Sequence, residues 1–296
     1  MGLSRITLEN FRNHAATTLG ETAHFNLLVG ENGAGKTNLL EALSLLGPGR
    51  GLRRAALGDL ARKASDDAAL PFAIGASLTE AGIVSARIGT HTEAGQPGRR
   101  LVRVNGAAAS AASLAEWLAM SWLTPAMDSL FTDSAGTRRR FMDRMALAIA
   151  PDHARRVNAL EAALRERGKL LEHNGDPRWM DAIEAQAADH GAAVARTRAD
   201  LVLRLMDELS ALPPEPFARP ALSYRPGGPL DETALRADLA RARPRDRAAG
   251  RALIGPQRDE MEVKMASSGQ LAASCSTGEQ KAMLIAITLA QGVLAA

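Results

Sequence analysis

Gly30-Glu31-Asn32-Gly33-Ala34-Gly35-Lys36-Thr37 satisfies the pattern G-x-x-x-x-G-K-[ST] in full, and it lies between an apolar run and a helix-like run. In that setting it reads as a phosphate loop, and the chain as nucleotide-binding. Gly30, Gly33 and Gly35 allow backbone conformations that a Cβ forbids, so successive N–H groups can turn toward phosphate oxygens. Lys36 offers a mobile charge to the β and γ phosphates, Thr37 a hydroxyl to Mg²⁺, and the following helix its positive end. Upstream, His24-Phe25-Asn26-Leu27-Leu28-Val29 has the pattern of a short buried strand that delivers the chain to the loop. Downstream, Asn38 to Leu46 spaces its apolar residues as a helix does.

Composition fits a machine with a full core. The 296 residues are 46% hydrophobic and 23% charged, enough for about two domains or one large α/β domain with an insertion. No apolar run approaches the roughly 18 residues of a membrane span, and the N-terminus lacks a signal-peptide core, so a cytoplasmic, membrane-free protein is expected. The single cysteine, Cys275, excludes an intrachain disulfide framework and a cysteine-based zinc site; it reads as a small filler. His91, His153, His173 and His190 show no ligand spacing and read as solvated, and Trp117, Trp122 and Trp179 as packing residues.

Of the 36 basic residues 31 are arginine and 5 lysine, with a net charge of +3. Arginine suits bidentate contact with phosphate. Basic clusters lie at Arg50 to Arg54, at Arg138-Arg139-Arg140, and along Arg241, Arg243, Arg245, Arg247 and Arg251. Either a polyanion-binding face or a solvated surface in an arginine-biased chain would produce them.

Three sections follow from the patterning. Residues 1–107 are strand-rich around the loop, with a strand pattern at Ser4–Leu8 and three short alternating runs at Phe72–Leu78, Gly82–Ile88 and Arg100–Val104 that suggest an antiparallel meander. Residues 108–250 turn helical, with periodic stretches at Arg138–Ile149, Asp152–Leu171 and Trp179–Leu212, the last stopped by Pro213, Pro214, Pro216 and Pro220. Residues 251–296 return to strand and loop before a final helix near Thr277. Leu201 to Glu208 imitates an apolar strand ending in acids, but Arg204, Leu209 and Leu212 give it helical spacing.

Ser276-Thr277-Gly278-Glu279-Gln280-Lys281 opens that final helix. It resembles the signature motif of ABC-type ATPases. A serine hydroxyl, a glycine that permits close approach and a helix N-terminus form a second anion cradle, roughly 240 residues after the first.

Further blocks make the resemblance specific: Leu8 to Asn13, Asn26 to Glu41, Gly49 to Arg53, Pro125 to Asp128 leading into Arg138 to Asp143, and Gly255 to Glu260. In this order, together with the signature segment, they are similar to the RecF family of DNA-repair ATPases. SMC proteins share the first and last blocks but insert hundreds of coiled-coil residues between them. The resemblance implies an α/β P-loop NTPase of ABC/SMC-head type, with an antiparallel β subdomain and an inserted helical lobe. It implies ATP held by Gly30, Glu31, Asn32, Gly33, Ala34, Gly35, Lys36, Thr37, Asn38 and Arg12 of one subunit and by Ser276 and Gly278 of another, with Mg²⁺ on Thr37. It further implies an ATP-dependent homodimer that binds DNA at single-strand gap and duplex junctions and supports RecA loading with RecR and RecO. Arg50 and Arg53, on a short helix after the loop, would face nucleotide or DNA.

One departure stands out. The family's Walker B strand, expected after the signature helix, is absent from this sequence, so slow or no ATP hydrolysis is expected and no catalytic residue is assigned. Two other readings stay open: an SMC-head-like ATPase of another DNA-maintenance system, and a small-molecule P-loop kinase, for which a signature motif so far from the loop has no use.

Overall fold

A computed structural model describes residues 2–64, 68–173, 175–213 and 218–295. The chain divides into two compact units, residues 1–120 and 121–296.

The first unit is built on a six-stranded sheet. Its strands are β1 (Gly2–Phe11), β2 (His14–Gly20), β3 (Ala73–Glu80), β4 (Ile83–Glu93), β5 (Gln96–Val104) and β6 (Ala107–Ala109), in the order β2-β1-β3-β4-β5-β6 with antiparallel pairing throughout. Alternation sorts the side chains. Ile6, Leu8, Ile74, Ala76, Leu78, Ala86, Ile88 and Val102 face the core, and the intervening residues face away from it. Helix α1 (Lys36–Ser44) contributes Leu39 and Ala42 to the same core, joined by Leu45, Leu46 and Leu60, the last from the short α2 (Leu57–Leu60). Burying each of these leucines stabilises the unit by roughly 1.5–3 kcal/mol.

The expected meander is present, with β2 as an additional strand. The expected strand at His24–Val29 is not. That stretch forms no ladder, and Phe25, Leu27 and Val29 are 80–88% exposed. Its apolar run is that of a buried strand, but burial requires a neighbour, and the described residues supply none beside Phe25, Leu27 and Val29. No helix forms at Arg50–Arg53 either; left-handed Gly49, Gly51 and Arg54 break any helical run there.

The second unit hangs on α5 (Pro177–Ala211), 35 residues and roughly 50 Å long. Asp176 caps it, accepting from the Arg178 amide at 2.7 Å, and Pro177 takes the first turn. It ends before Pro213; Pro214 and Pro216 lie outside the described residues. The N-terminal half of α5 packs Ala187, Ala188 and Val194 against Leu160 and Ala163 of α4 (His153–Glu172) and Leu235 and Leu239 of α6 (Glu232–Ala249). Its C-terminal half buries Leu201, Val202, Leu205 and Leu209 in a second core. That core includes α3 (Ala135–Ala146), the antiparallel pair β7 (Pro220–Arg225) and β8 (Glu260–Met265), and α7 (Thr277–Leu294). No helix among the described residues is long and apolar enough to cross a membrane.

Candidate functional site

The phosphate loop has the backbone its glycines imply. Gly30, Gly33 and Gly35 all take positive φ (155°, 89° and 97°). At Gly35 the reason is steric as well: a Cβ there would stand 2.7 Å from His14 Nε2 and 2.8 Å from Asn13 Oδ1. These two side chains brace the loop. Asn13 Nδ2 donates to Gly33 O at 3.3 Å, His14 Nε2 lies 3.3 Å from Gly35 O, and Asn38 Nδ2 donates to Asn13 Oδ1 at 2.8 Å. Because a carbonyl only accepts, His14 Nε2 donates to Gly35 O, while Nδ1 lies 2.9 Å from Thr17 Oγ1. Lys36 Nζ donates to Gly30 O and Glu31 O, each at 2.7 Å, which holds the ammonium over the loop. Glu31, Asn32, Gly33, Ala34 and Thr37 are exposed. Gly35 caps α1 without any side-chain hydrogen bond to the first turn, and no acidic residue occupies that turn. The N-terminal amides of α1 are therefore open to an anion.

The organiser beneath the loop is Glu41, a residue the sequence did not single out. Its carboxylate is 1% exposed and accepts from Arg12 Nε (3.0 Å), Arg12 Nη2 (3.1 Å) and Arg53 Nη1 (3.1 Å). Arg12 also reaches Asp59 O at 2.9 Å, and Arg53 reaches Asn38 Oδ1 at 3.0 Å. A lone acid on the inner face of an otherwise apolar helix was the only available signal. Behind this, Arg100 donates to Thr90 Oγ1 (2.9 Å), Gly49 O (2.8 Å) and Gly47 O (3.1 Å), and also to Leu45 O. Burial pushes its guanidinium down to about 10, still charged at neutral pH, and its bonds fix the turn that carries Arg50 and Arg53.

The second cradle lies at the start of α7. Ser276 forms a complete capping box: its Oγ accepts from the Glu279 amide at 3.4 Å, while Glu279 Oε2 accepts from the Ser276 amide at 2.7 Å. Hydrogen bonds from the Ser276 hydroxyl and amide hold the Glu279 carboxyl below its ordinary range. Gly278 is exposed, and a Cβ there would meet nothing within 4 Å, so packing within the chain does not require glycine at this position. Gln280 donates to Cys275 O at 2.9 Å, and Lys281 Nζ to Asp128 Oδ2 at 3.2 Å, tying the Pro125–Asp128 block to the signature helix. Cys275 is buried against Leu271, and its thiol lies above the ordinary range, first through desolvation and then through Glu279.

A buried network joins two more of the distant blocks. Arg198 donates to Asp143 (Nε 2.8 Å, Nη2 3.0 Å), Asp259 (2.9 Å) and Pro256 O (2.6 Å). Tyr224 Oη donates to Asp259 at 2.5 Å, and Arg138 forks onto Glu260 at 2.8 and 2.7 Å. Burial alone would raise the Asp143 carboxyl, but hydrogen bonds from His153 and Arg198 outweigh it and hold the group low. His153, expected in solvent, is buried with Nε2 2.8 Å from Asp143. Two tryptophans divide: Trp122 lies under the Arg144 guanidinium at 4.3 Å, whereas Trp179 is largely exposed rather than packed.

A glycine-cradled lysine at one helix start and a serine-capped glycine at another define the class of SMC-type P-loop ATPase heads. The RecF/RecN/SMC N-terminal domain model matches residues 2–295. The chain belongs to the RecF family. It is 46% identical over 306 residues to the DNA replication and repair protein RecF of Mesorhizobium japonicum, covering 99% of this chain and 79% of that one. It is likewise 46% identical to the RecF of Brucella suis biovar 1, across 100% of this chain and 79% of the relative. In fold it is similar to the recombination mediator protein RecF-ATPrS of the RecFOR pathway (TM-score 0.84, 20% identity, 99% of this chain and 81% of that one). A more distant likeness is to the Smc head domain from Pyrococcus furiosus (TM-score 0.50, 16% identity, 98% of this chain and 79% of that one).

Proposed function

We propose that this chain is an ATP-dependent DNA-binding protein of recombinational repair, whose phosphate loop binds ATP and whose signature segment completes the site of a second copy. The observation that carries the reading is the Gly30–Thr37 cradle: three positive-φ glycines, a lysine directly over the loop and an uncapped helix start. Binding ATP would move Lys36 Nζ from the Gly30 and Glu31 carbonyls to phosphate oxygens, and the α1 amides would take the remaining charge. Thr37, exposed at the first turn, would hold Mg²⁺ by its hydroxyl, with phosphate oxygens and water completing the shell. Glu41 is committed to Arg12 and Arg53, which keeps both arginines beside the loop.

In the second copy, Ser276 and Gly278 would approach the γ phosphate; the open space at Gly278 supports that role. The clamp so formed would act on DNA at gap and duplex junctions and support RecA loading with RecR- and RecO-type mediators. ATP-dependent sedimentation combined with binding of a fluorescent ATP analogue tests this. Wild type should bind and associate on ATP, Lys36→Ala should lose both by on the order of a hundredfold, and a Ser276→Arg variant should bind ATP but stay monomeric. Association independent of ATP would overturn the composite site.

A further inference from the structure

The two helix starts each hold one lysine, and the two lysines are bonded differently. Lys36 rests on the Gly30 and Glu31 carbonyls, whereas Lys281 Nζ donates to the Asp128 carboxylate at 3.2 Å. Lys281 is the only cation along α7, as Glu279 is its only acid. It follows Gly278 by three residues and Thr277 by four, hence lies on the same face of the helix, about 5–6 Å away. Helical side chains lean toward the N-terminus, so the ammonium can swing over the Thr277–Gly278 turn. Ser276, Thr277, Gly278 and Lys281 are all exposed.

The ion pair is not what keeps either partner in place. Asp128 is set by its own turn, in which the Met127 amide donates to Thr124 O at 2.9 Å and the Asp128 amide to Pro125 O at 3.1 Å. Beside it, Arg144 lies 3.9 Å from Met127 Sδ and stacks over Trp122. The start of α7 is set by the Ser276 cap, by the bond from Gln280 to Cys275 O, and by the burial of Met283, Leu284 and Ile287. The pair itself is open to solvent, with the Lys281 side chain 52% exposed, so breaking it costs little. A weak pair between two separately anchored elements suits a lysine that changes partners.

We propose that Lys281 is a further residue of the signature cradle, a mobile cation that leaves Asp128 for the terminal phosphate of the ATP held by a second copy. The proposal deepens the composite site above and rests on it. Asp128 is then a competitor that restrains association, and a terminal phosphate draws the lysine away because it carries more charge than one carboxylate. Sedimentation against ATP concentration tests it. Lys281→Gln should associate roughly ten- to a hundredfold more weakly than wild type, the worth of one charge-assisted hydrogen bond, and Lys281→Arg should recover most of the loss. Asp128→Asn should associate about two- to fivefold more tightly, because the lysine is released. A purely structural tie would make Asp128→Asn weaker as well, since either substitution breaks the same pair; unchanged or weaker association of Asp128→Asn therefore overturns the proposal. So does Lys281→Gln that associates as wild type does, and in that case the composite site still stands. If wild type itself fails to associate on ATP, the composite site falls and the proposal with it. A fluorescent ATP analogue added to dilute protein, where each phosphate loop acts alone, should bind all four proteins equally. Loss of analogue binding in Lys281→Gln would place the lysine at its own subunit's nucleotide and overturn the proposal.

Discussion

The two candidate anion cradles of this molecule begin helices in opposite ways. At α1 the cap is Gly35, no side chain satisfies the first-turn amides, and the approach through Phe25, Leu27 and Val29 is exposed. At α7 the cap is Ser276, with Glu279 folded back in a capping box, and Met283, Leu284 and Ile287 anchor the helix in a buried core. One terminus leaves its first-turn amides without a side-chain partner; the other is capped from within the chain and already carries a carboxylate beside its amides. A phosphate arriving at α7 has to compete with Glu279, whereas one arriving at α1 displaces only the backbone contacts of Lys36.

The sharpest way to break that contrast is to remove the network that stiffens the signature side. Arg198→Ala should destabilise the second unit by about 3–5 kcal/mol, because Asp143 and Asp259 would lose the guanidinium they share and keep only the hydrogen bonds from His153 and from Tyr224 and the Gly227 amide. Urea denaturation followed by far-UV circular dichroism measures it, and nucleotide affinity at the phosphate loop should not change. The same network sets an acid limit. Asp143 is held low in the folded state, so its contribution is complete above the unfolded carboxyl value of about 3.9 and is lost as pH falls through the folded value. The urea midpoint of wild type should therefore drop more steeply between about pH 5 and pH 2 than that of Asp143→Asn.

On the loop side the corresponding support is a single carboxylate. Glu41→Gln should cost about 1.5–2 kcal/mol, discounted because Arg12 and Arg53 are partly exposed, and should weaken nucleotide binding by freeing both arginines. Ser276→Ala should cost about 1 kcal/mol through the lost cap and return the Glu279 carboxyl toward its ordinary range, visible by NMR titration. Smallest of all, Leu27→Thr should change stability by less than about 0.5 kcal/mol. A loss well above 1 kcal/mol would mean that the approach segment is buried in solution and that the contrast fails.

What the sequence revealed follows from which forces are local. The glycines and Lys36 fix the loop through their own backbone chemistry, and α4, α5 and α7 emerged from apolar spacing because their burial is one-sided. The segment His24–Val29 misled because a short apolar run reports a tendency to be buried, not the presence of a neighbour. β2 escaped notice because His14–Gly20 carries one large apolar residue, Leu19, and lies at the sheet edge. Glu41 and His153 take their partners from other elements, between 10 and 29 residues away, and the pattern along a single element does not show them.

The bond from Arg138 to Glu260 has a consequence in time. The two residues are 122 positions apart, and translation proceeds at about 5–20 residues per second. For roughly 6–24 s after Arg138 is made, α3 has neither its ion-pair partner nor β8 to cover Phe141 and Met142. The first unit, whose strands pair mostly with sequence neighbours, can close during that interval. The apolar side chains of α3 are thus the surface that a ribosome-bound chaperone would be expected to meet first.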